Sequence, residues 1–139
     1  MHSDITFSII KPDAMAGNSA GKILARISEA GFSIAALKML HINRQQAEEF
    51  YAVHRERPFF PGLVEFMSSG PVIVMVLRHD SAVDEFRRLI GSTDPSKADE
   101  GTIRAAFGTS VQKNAVHGSD SPENAIRESG FFFSSIEIF

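Results

Sequence analysis

Cysteine is absent from all 139 residues, which removes disulfide scaffolds, thiolate metal sites and thiol nucleophiles together. Tryptophan is absent and tyrosine occurs once, although phenylalanine occurs twelve times. Long hydrophobic runs are missing as well. The longest clear one, Val72 to Leu77, falls far short of the ~20 residues that cross a bilayer as a helix. Met1-His2-Ser3-Asp4 lacks a basic leader, and the apolar stretch after it is cut by Lys11-Pro12-Asp13. The expectation is a soluble, cytoplasmic protein with no membrane partner. Positive charge is not in excess either: 14 Lys+Arg stand against 17 Asp+Glu, a formal charge of −3. Sequence-independent nucleic-acid binding needs clustered cations on phosphates, so that class is disfavoured, while a small cationic pocket is left open. What the chain does have is 43% apolar residues, enough to build a core in a single domain over residues 1–139.

The order of elements carries the fold reading. Ile5 to Ile10 reads as a strand ended by Lys-Pro-Asp. Ala20, Ile23, Leu24 and Ile27 fall at helical spacing, with Gly31 as a stop. Phe32 to Ile42 reads as a second strand. Asn43 then caps a helix whose inner face is Ala47, Phe50, Tyr51 and His54. The breakers at 57–62 lead into a short helix with Leu63, Phe66 and Met67. Val72 to Leu77 is apolar on both faces, which predicts a central strand. Ser81 to Ile90 is helical with Val83, Phe86 and Ile90 inward. Residues 91–116 predict a long loop with one or two helical turns, and Asp120 to Glu128 a helix opened by Pro122 and Glu123. Phe131-Phe132-Phe133 reads as a last short strand. This order admits two split βαβ units, so the expected class is α/β (α+β): a ferredoxin-like sandwich, a four-stranded antiparallel sheet of βαββαβ order covered by helices. Long loops in small domains are often functional, which directs attention to the segment before His117.

Some chemistries are excluded by spacing. Ala16-Gly17-Asn18-Ser19-Ala20-Gly21-Lys22-Ile23 has the outline of a phosphate-binding P-loop, but Ala16 stands where the first Gly belongs and Ile23 where a hydroxyl residue holds magnesium. Helix onset is the plain reading. The five histidines, His2, His41, His54, His79 and His117, share no metal-ligand spacing. His117 differs in its setting, Asn114-Ala115-Val116-His117-Gly118-Ser119-Asp120, ahead of a helix start. Gly118 leaves room beside the ring, and Ser119 and Asp120 offer local hydrogen bonds. If the chain folds back, Glu128 holds one ring nitrogen and leaves the other as base or nucleophile; an ordinary loop histidine is the bland alternative. Arg87, Arg88 and Arg104 are candidate phosphate ligands, because guanidinium matches phosphate oxygens bidentately. For Arg88 a charged helix face is the better reading.

Six ordered blocks then become recognisable: Lys11-Pro12-Asp13, Arg57-Pro58-Phe59-Phe60, Ser69-Gly70-Pro71-Val72, Thr93-Asp94-Pro95, Gly101-Thr102-Ile103-Arg104 and Asn114 to Asp120. Together they resemble nucleoside diphosphate kinase, from the first strand to Phe133. The resemblance implies a ping-pong transfer of the γ-phosphate from a nucleoside triphosphate to a nucleoside diphosphate, through phosphohistidine on His117. It matches Lys11, Arg87, Thr93 and Arg104 to phosphate contacts, Tyr51 to a position near the nucleophile, and Asn114 to the ribose or its bridging oxygen. Glu128 matches the carboxylate that orients the histidine. Phe59 and Val111 match the pair that sandwiches the base, with Leu63 close by; stacking does not read base edges, which fits broad nucleotide use. Magnesium is the implied cofactor, held mainly by nucleotide phosphates and water rather than by protein ligands. The implied assembly is a homo-oligomer, a tetramer or hexamer built from dimers. The chain departs from the family pattern at Glu100 and Ala105-Ala106, neither matching a nucleotide contact. The full set of matched site residues separates an enzyme from a non-catalytic nucleotide-binding or scaffold member of the same fold.

Overall fold

The computed structural model describes residues 4–139. Four strands, β1 (Asp4–Ile10), β2 (Ser33–Leu40), β3 (Val72–His79) and β4 (Val116–Gly118), form one antiparallel sheet in the order β2-β3-β1-β4. Between them run α1 (Pro12–Ala16), α2 (Ala20–Glu29), α3 (Arg44–Phe50), α4 (Phe60–Met67), α5 (Ala82–Ile90) and α6 (Ile103–Phe107), and α7 (Pro122–Phe132) follows β4. This is the ferredoxin-like βαββαβ order expected from the sequence. The central place of Val72 to Leu77 is also as expected, and every residue of that run is buried. Asn43 caps α3 through a reciprocal box: its Oδ1 accepts from the Gln46 N–H at 2.8 Å, and Gln46 Oε1 accepts from the Asn43 N–H at 2.9 Å.

The period of two sorts the strands' side chains onto two cores. Phe7, Ile9, Val72, Val74 and Val76 face α3, α4 and the end of α7, packing with Phe50, Val64, Met67 and Phe133. Ile10, Ile73, Met75 and Leu77 face the other way, against Ile23 and Ile27 of α2, Phe86 and Ile90 of α5, and Ile103 of α6.

One expectation is overturned. Phe131 and Phe132 lie in the last turn of α7, and Phe133 is its C-cap. The fourth strand is instead the short segment that contains His117. A triple Phe has strand propensity, but α7 is firmly nucleated by its Ser121 cap and Pro122, and its packing overrides local preference. The helix brings Phe132 within 5.5 Å of Phe7 and 5.3 Å of Phe50. The place beside β1 is already taken by β4.

Because β4 pairs Ile9 with His117 and Ile10 with Val116, alternate residues of β4 point to opposite layers. His117 faces the Phe7–Phe50 side. Gly118 faces α5, where an added Cβ would sit 3.0 Å from Ile90 Cδ1 and 3.1 Å from Phe86 Cδ2. Its smallness therefore admits a helix, a tighter demand than the room for a ligand read from the sequence. Gly118→Ala is expected to lower the unfolding free energy by about 1 kcal/mol or more through this overpacking. Urea denaturation measures it, and an unchanged midpoint would mean that α5 yields freely.

Candidate active site

His117 is held from behind. Its Nε2 lies 2.9 Å from Glu128 Oε1, and Glu128 is buried at the seventh residue of α7. A carboxylate accepts, so in the neutral ring Nε2 carries the proton and Nδ1 keeps its lone pair. The same Glu128 oxygen accepts from Ser119 Oγ at 2.7 Å, and Ser119 Oγ accepts from the Phe7 N–H at 3.1 Å. Arg127 Nη2 stands 3.6 Å from the other Glu128 oxygen. The imidazole is walled by aromatic rings: Phe50 at 5.6 Å, Phe7 at 6.1 Å and Tyr51 at 6.3 Å between centroids. Three of the chain's aromatic residues thus fix one ring's orientation.

In front of the ring is a cavity of about 750 Å³, within the roughly 300–1,000 Å³ typical of small-molecule sites. All eleven side chains singled out from the sequence line it: Lys11, Tyr51, Phe59, Leu63, Arg87, Thr93, Arg104, Val111, Asn114, His117 and Glu128. They come from β1's end, the α3–α4 region, α5, the long 91–115 connection, β4 and α7. Arg88 stays outside, exposed and paired with Glu85 at 3.0 Å, as a helix-face charge does. A second cavity, lined by Asp4, Ile5, Ser81, Val83, Asp84, Pro122 and Ile126, presents two carboxylates and no cation, so it does not suit an anionic ligand.

One wall is cationic. Lys11 caps α1, is buried, and donates from Nζ to Asn114 Oδ1 at 2.7 Å. Asn114 Nδ2 donates in turn to the Thr93 carbonyl at 3.0 Å, tying the long connection to the site. Arg104, buried on α6, donates to the Gly91 and Val116 carbonyls at 3.1 and 2.9 Å, while its buried Nε has no partner among the described residues. Burial, and then the Arg87 charge, lower its pKa to about 10. Tyr51 contributes a buried hydroxyl with no partner among the described residues. Burial, followed by the Glu128 charge, pushes its pKa upward, so the phenol stays a neutral donor. At the mouth, Phe59 and Val111 are more than half exposed, with His54's ring 5.4 Å from Phe59. Unpaired donors, cations and an open apolar rim suit an anionic ligand with a flat apolar end.

Sequence reading missed several participants. Asp13 accepts from the Ala115 N–H at 3.1 Å. Gln112, Asn124 and Arg127 also line the cavity. Asp13 had a signal, since it belongs to the Lys-Pro-Asp block; the others depend on contacts that no local pattern announces. Asp120, named from the sequence as a local hydrogen-bonding group, accepts from Asn124 Nδ2 at 2.6 Å, which holds its carboxyl below the usual range. A backbone feature was equally hidden. Ala115 has φ of 74°, and the Val116 N–H donates to the Asn114 carbonyl at 2.9 Å. That is a strained γ-turn just ahead of the histidine, costing on the order of 1–3 kcal/mol.

Lys11 carries a measurable cost. Burial first, and the Arg104 charge second, lower its pKa to about 8, with Asp13 opposing. The unfolded chain keeps that proton up to the ordinary 10.5. Between these values the unfolded state binds more protons, so stability rises with pH across that window. Relative to Lys11→Met, the native protein is expected to gain up to about 3 kcal/mol of unfolding free energy from pH 7 to about 10.5. Denaturant titrations at matched pH test this, and a difference independent of pH would refute it.

Comparison with known proteins agrees with the geometry. The family model for nucleoside diphosphate kinase matches residues 4–138. The chain is 56% identical over 133 residues to the nucleoside diphosphate kinase of Nitrosomonas europaea, covering 96% of this chain and 94% of that one. It is 54% identical to that of Thiobacillus denitrificans, covering 96% and 94%. Among solved structures, the Aquifex aeolicus nucleoside diphosphate kinase superposes with a TM-score of 0.95 at 52% identity, covering 98% of this chain and 99% of that one. The halophilic enzyme from Halobacterium salinarum, in complex with CDP, superposes with a TM-score of 0.95 at 37% identity, covering 99% and 92%. A histidine backed by a carboxylate and facing a cation-lined cavity, on this fold and with this likeness over nearly the whole chain, means that the chain belongs to the nucleoside diphosphate kinase family.

Proposed function

We propose that this nucleoside diphosphate kinase carries the γ-phosphoryl group on Nδ1 of His117. The supporting observation is the Nε2–Glu128 contact at 2.9 Å, which leaves Nδ1 as the ring's free lone pair beside the cavity. In the first half-reaction the Nδ1 lone pair bonds to the γ-phosphorus and the bond from phosphorus to the β–γ bridging oxygen breaks. The electron pair leaves with the nucleoside diphosphate. A β-phosphate oxygen of a second nucleoside diphosphate then attacks the same phosphorus, and the P–N bond breaks to return the ring's lone pair. Glu128 keeps the Nε2 proton in place and offsets the positive charge that develops on the ring during attack. Ser119 and Arg127 hold that carboxylate. One site thus serves both donor and acceptor, as covalent catalysis permits.

Positioning and electrostatics do the rest. Lys11, Arg87 and Arg104 neutralise the phosphates, Thr93 and the unpartnered Tyr51 hydroxyl donate to them, and Asn114 binds on the ribose side. Phe59 and Val111, with Leu63, take the base between apolar faces that do not read its edges, so purine and pyrimidine nucleotides are both accepted. Among the described residues, no group of three or more His, Asp or Glu side chains stands together to ligate a metal. The donor set therefore fits a magnesium ion that arrives on the nucleotide's phosphates and keeps its waters; Asp120 is the cavity carboxylate not engaged by His117. When bound, the ion would neutralise phosphate charge.

No described helix is long and apolar enough to cross a membrane. We extend the reading to a cytoplasmic homo-oligomer, a tetramer or hexamer of dimers. Ile34, Leu37 and Met39 on the edge strand β2 are 43%, 44% and 62% exposed, an apolar edge of the kind that proteins normally cover.

Incubation with γ-labelled ATP and magnesium is expected to yield an acid-labile, base-stable phosphoenzyme, and His117→Ala to abolish both label and exchange. Label surviving that substitution would sink the carrier assignment. Phe59→Ala is expected to weaken binding of all nucleoside diphosphates alike, by about 1–3 kcal/mol. Calorimetric titration with a purine and a pyrimidine nucleotide measures this, and a loss confined to one base class contradicts non-selective stacking.

A further inference from the structure

The Lys-Pro-Asp block supplies Lys11 to the cavity, but Asp13 does not line it. Its carboxylate has a different target. β1 and β4 pair through Ser8–Gly118, Ile9–His117 and Ile10–Val116, and the next step is Lys11 with Ala115. Half of that step is made, since the Lys11 N–H donates to the Ala115 carbonyl at 2.9 Å. In an antiparallel ladder the return bond would run from the Ala115 N–H to the Lys11 carbonyl. That carbonyl already accepts from the Met15 N–H at 3.1 Å as the opening bond of α1. Asp13 Oδ2 accepts from Ala115 instead, at 3.1 Å.

The substitution matters because of what Ala115 is doing. Its φ of 74° is a conformation that a residue with a Cβ leaves unless its surroundings hold it. Here both faces of its peptide framework are held, the carbonyl by Lys11 and the amide by Asp13. Immediately before Ala115 stands Asn114, bonded to Lys11 Nζ and the Thr93 carbonyl. Two residues after Ala115 stands His117. We infer that Asp13 is a positioning residue for phosphoryl transfer: by taking the ladder bond that α1 denies to Ala115, it locks the strained turn that sets Asn114 and His117 relative to Lys11. The inference rests on His117 as the phosphoryl carrier.

Two measurements judge it. Amide hydrogen exchange at Ala115, followed by NMR, reports the contact itself and is independent of the chemistry. Single-turnover phosphorylation of His117 by labelled ATP reports its consequence. Asp13→Ala is expected to lose protection at Ala115 and to slow phosphorylation by about tenfold or more, because small misplacements of reacting groups are costly. Nucleoside diphosphate affinity is expected to change much less than the rate. Asp13→Asn, which keeps an oxygen acceptor, restores part of the rate. In an Ala115→Gly background, where positive φ costs little, the loss caused by Asp13→Ala shrinks. Native protection at Ala115, a rate within twofold of the native one, or an equal loss in both backgrounds overturns the inference. If Asp13→Ala does not fold, Asp13→Asn carries the test: faster exchange at Ala115 with slower transfer supports the role, and native values of both overturn it. Label persisting in His117→Ala defeats the carrier assignment and the kinetic part of this inference together, while the exchange result still judges the contact alone.

Discussion

The short ladder between β1 and β4 is the joint on which the site depends. Pairing Ile9 with His117 puts the imidazole on the aromatic side of the sheet, within reach of α7. The same pairing brings the end of β1 against Asn114 and Ala115, so Lys11 and the histidine are set by one set of backbone bonds. Sheet geometry allows no slippage here. A shift by one residue would turn His117 toward α5 and bury Gly118's place under the wrong side chain. Short as it is, β4 is pinned at both ends: Ser119 bonds the Phe7 backbone, and Arg104 bonds the Val116 carbonyl.

Around this joint the protein gathers like charges that repel each other. Lys11 and Arg104 are both buried, and each shows the strain in a lowered pKa, to about 8 and about 10. A fold selected only for stability has no reason to bury them beside a third cation, Arg87. Under the function proposed above, triphosphate oxygens would resolve the conflict by supplying the countercharge. The unpartnered Tyr51 hydroxyl and Arg104 Nε and the strained turn at Ala115 belong to the same pattern. Local costs cluster where a ligand or a reacting group must be met.

Much of this was legible in the sequence, for identifiable reasons. Val72 to Leu77 announced a central strand because a strand buried on both faces has no polar alternation to hide. Asn43 announced a helix because its capping box is local. Eleven residues that line the main cavity were legible as a set because six ordered blocks are specific enough to carry a resemblance over the whole chain, including positions outside the blocks such as Tyr51, Arg87 and Glu128. Phe131 to Phe133 misled because three aromatic residues favour a strand in isolation, and only their packing against Phe7 and Phe50 makes them the end of a helix. Gly118 lines the cavity as the space read from the sequence implies, but its tight packing against α5 was hidden because that helix is remote in sequence.

The amino-acid sequence by itself determined the chemistry available: no thiols, one distinctive histidine, a few cations in marked blocks, and alternating apolar patterns sufficient for the sheet and helices. Those are local properties of residue type and period. Only the tertiary structure decided that β4 is the strand carrying His117, which ring nitrogen Glu128 takes, and that Asp13 holds the Ala115 amide. Each of these rests on a contact between segments far apart in the chain, made when long-range pairing and burial outweigh local preference.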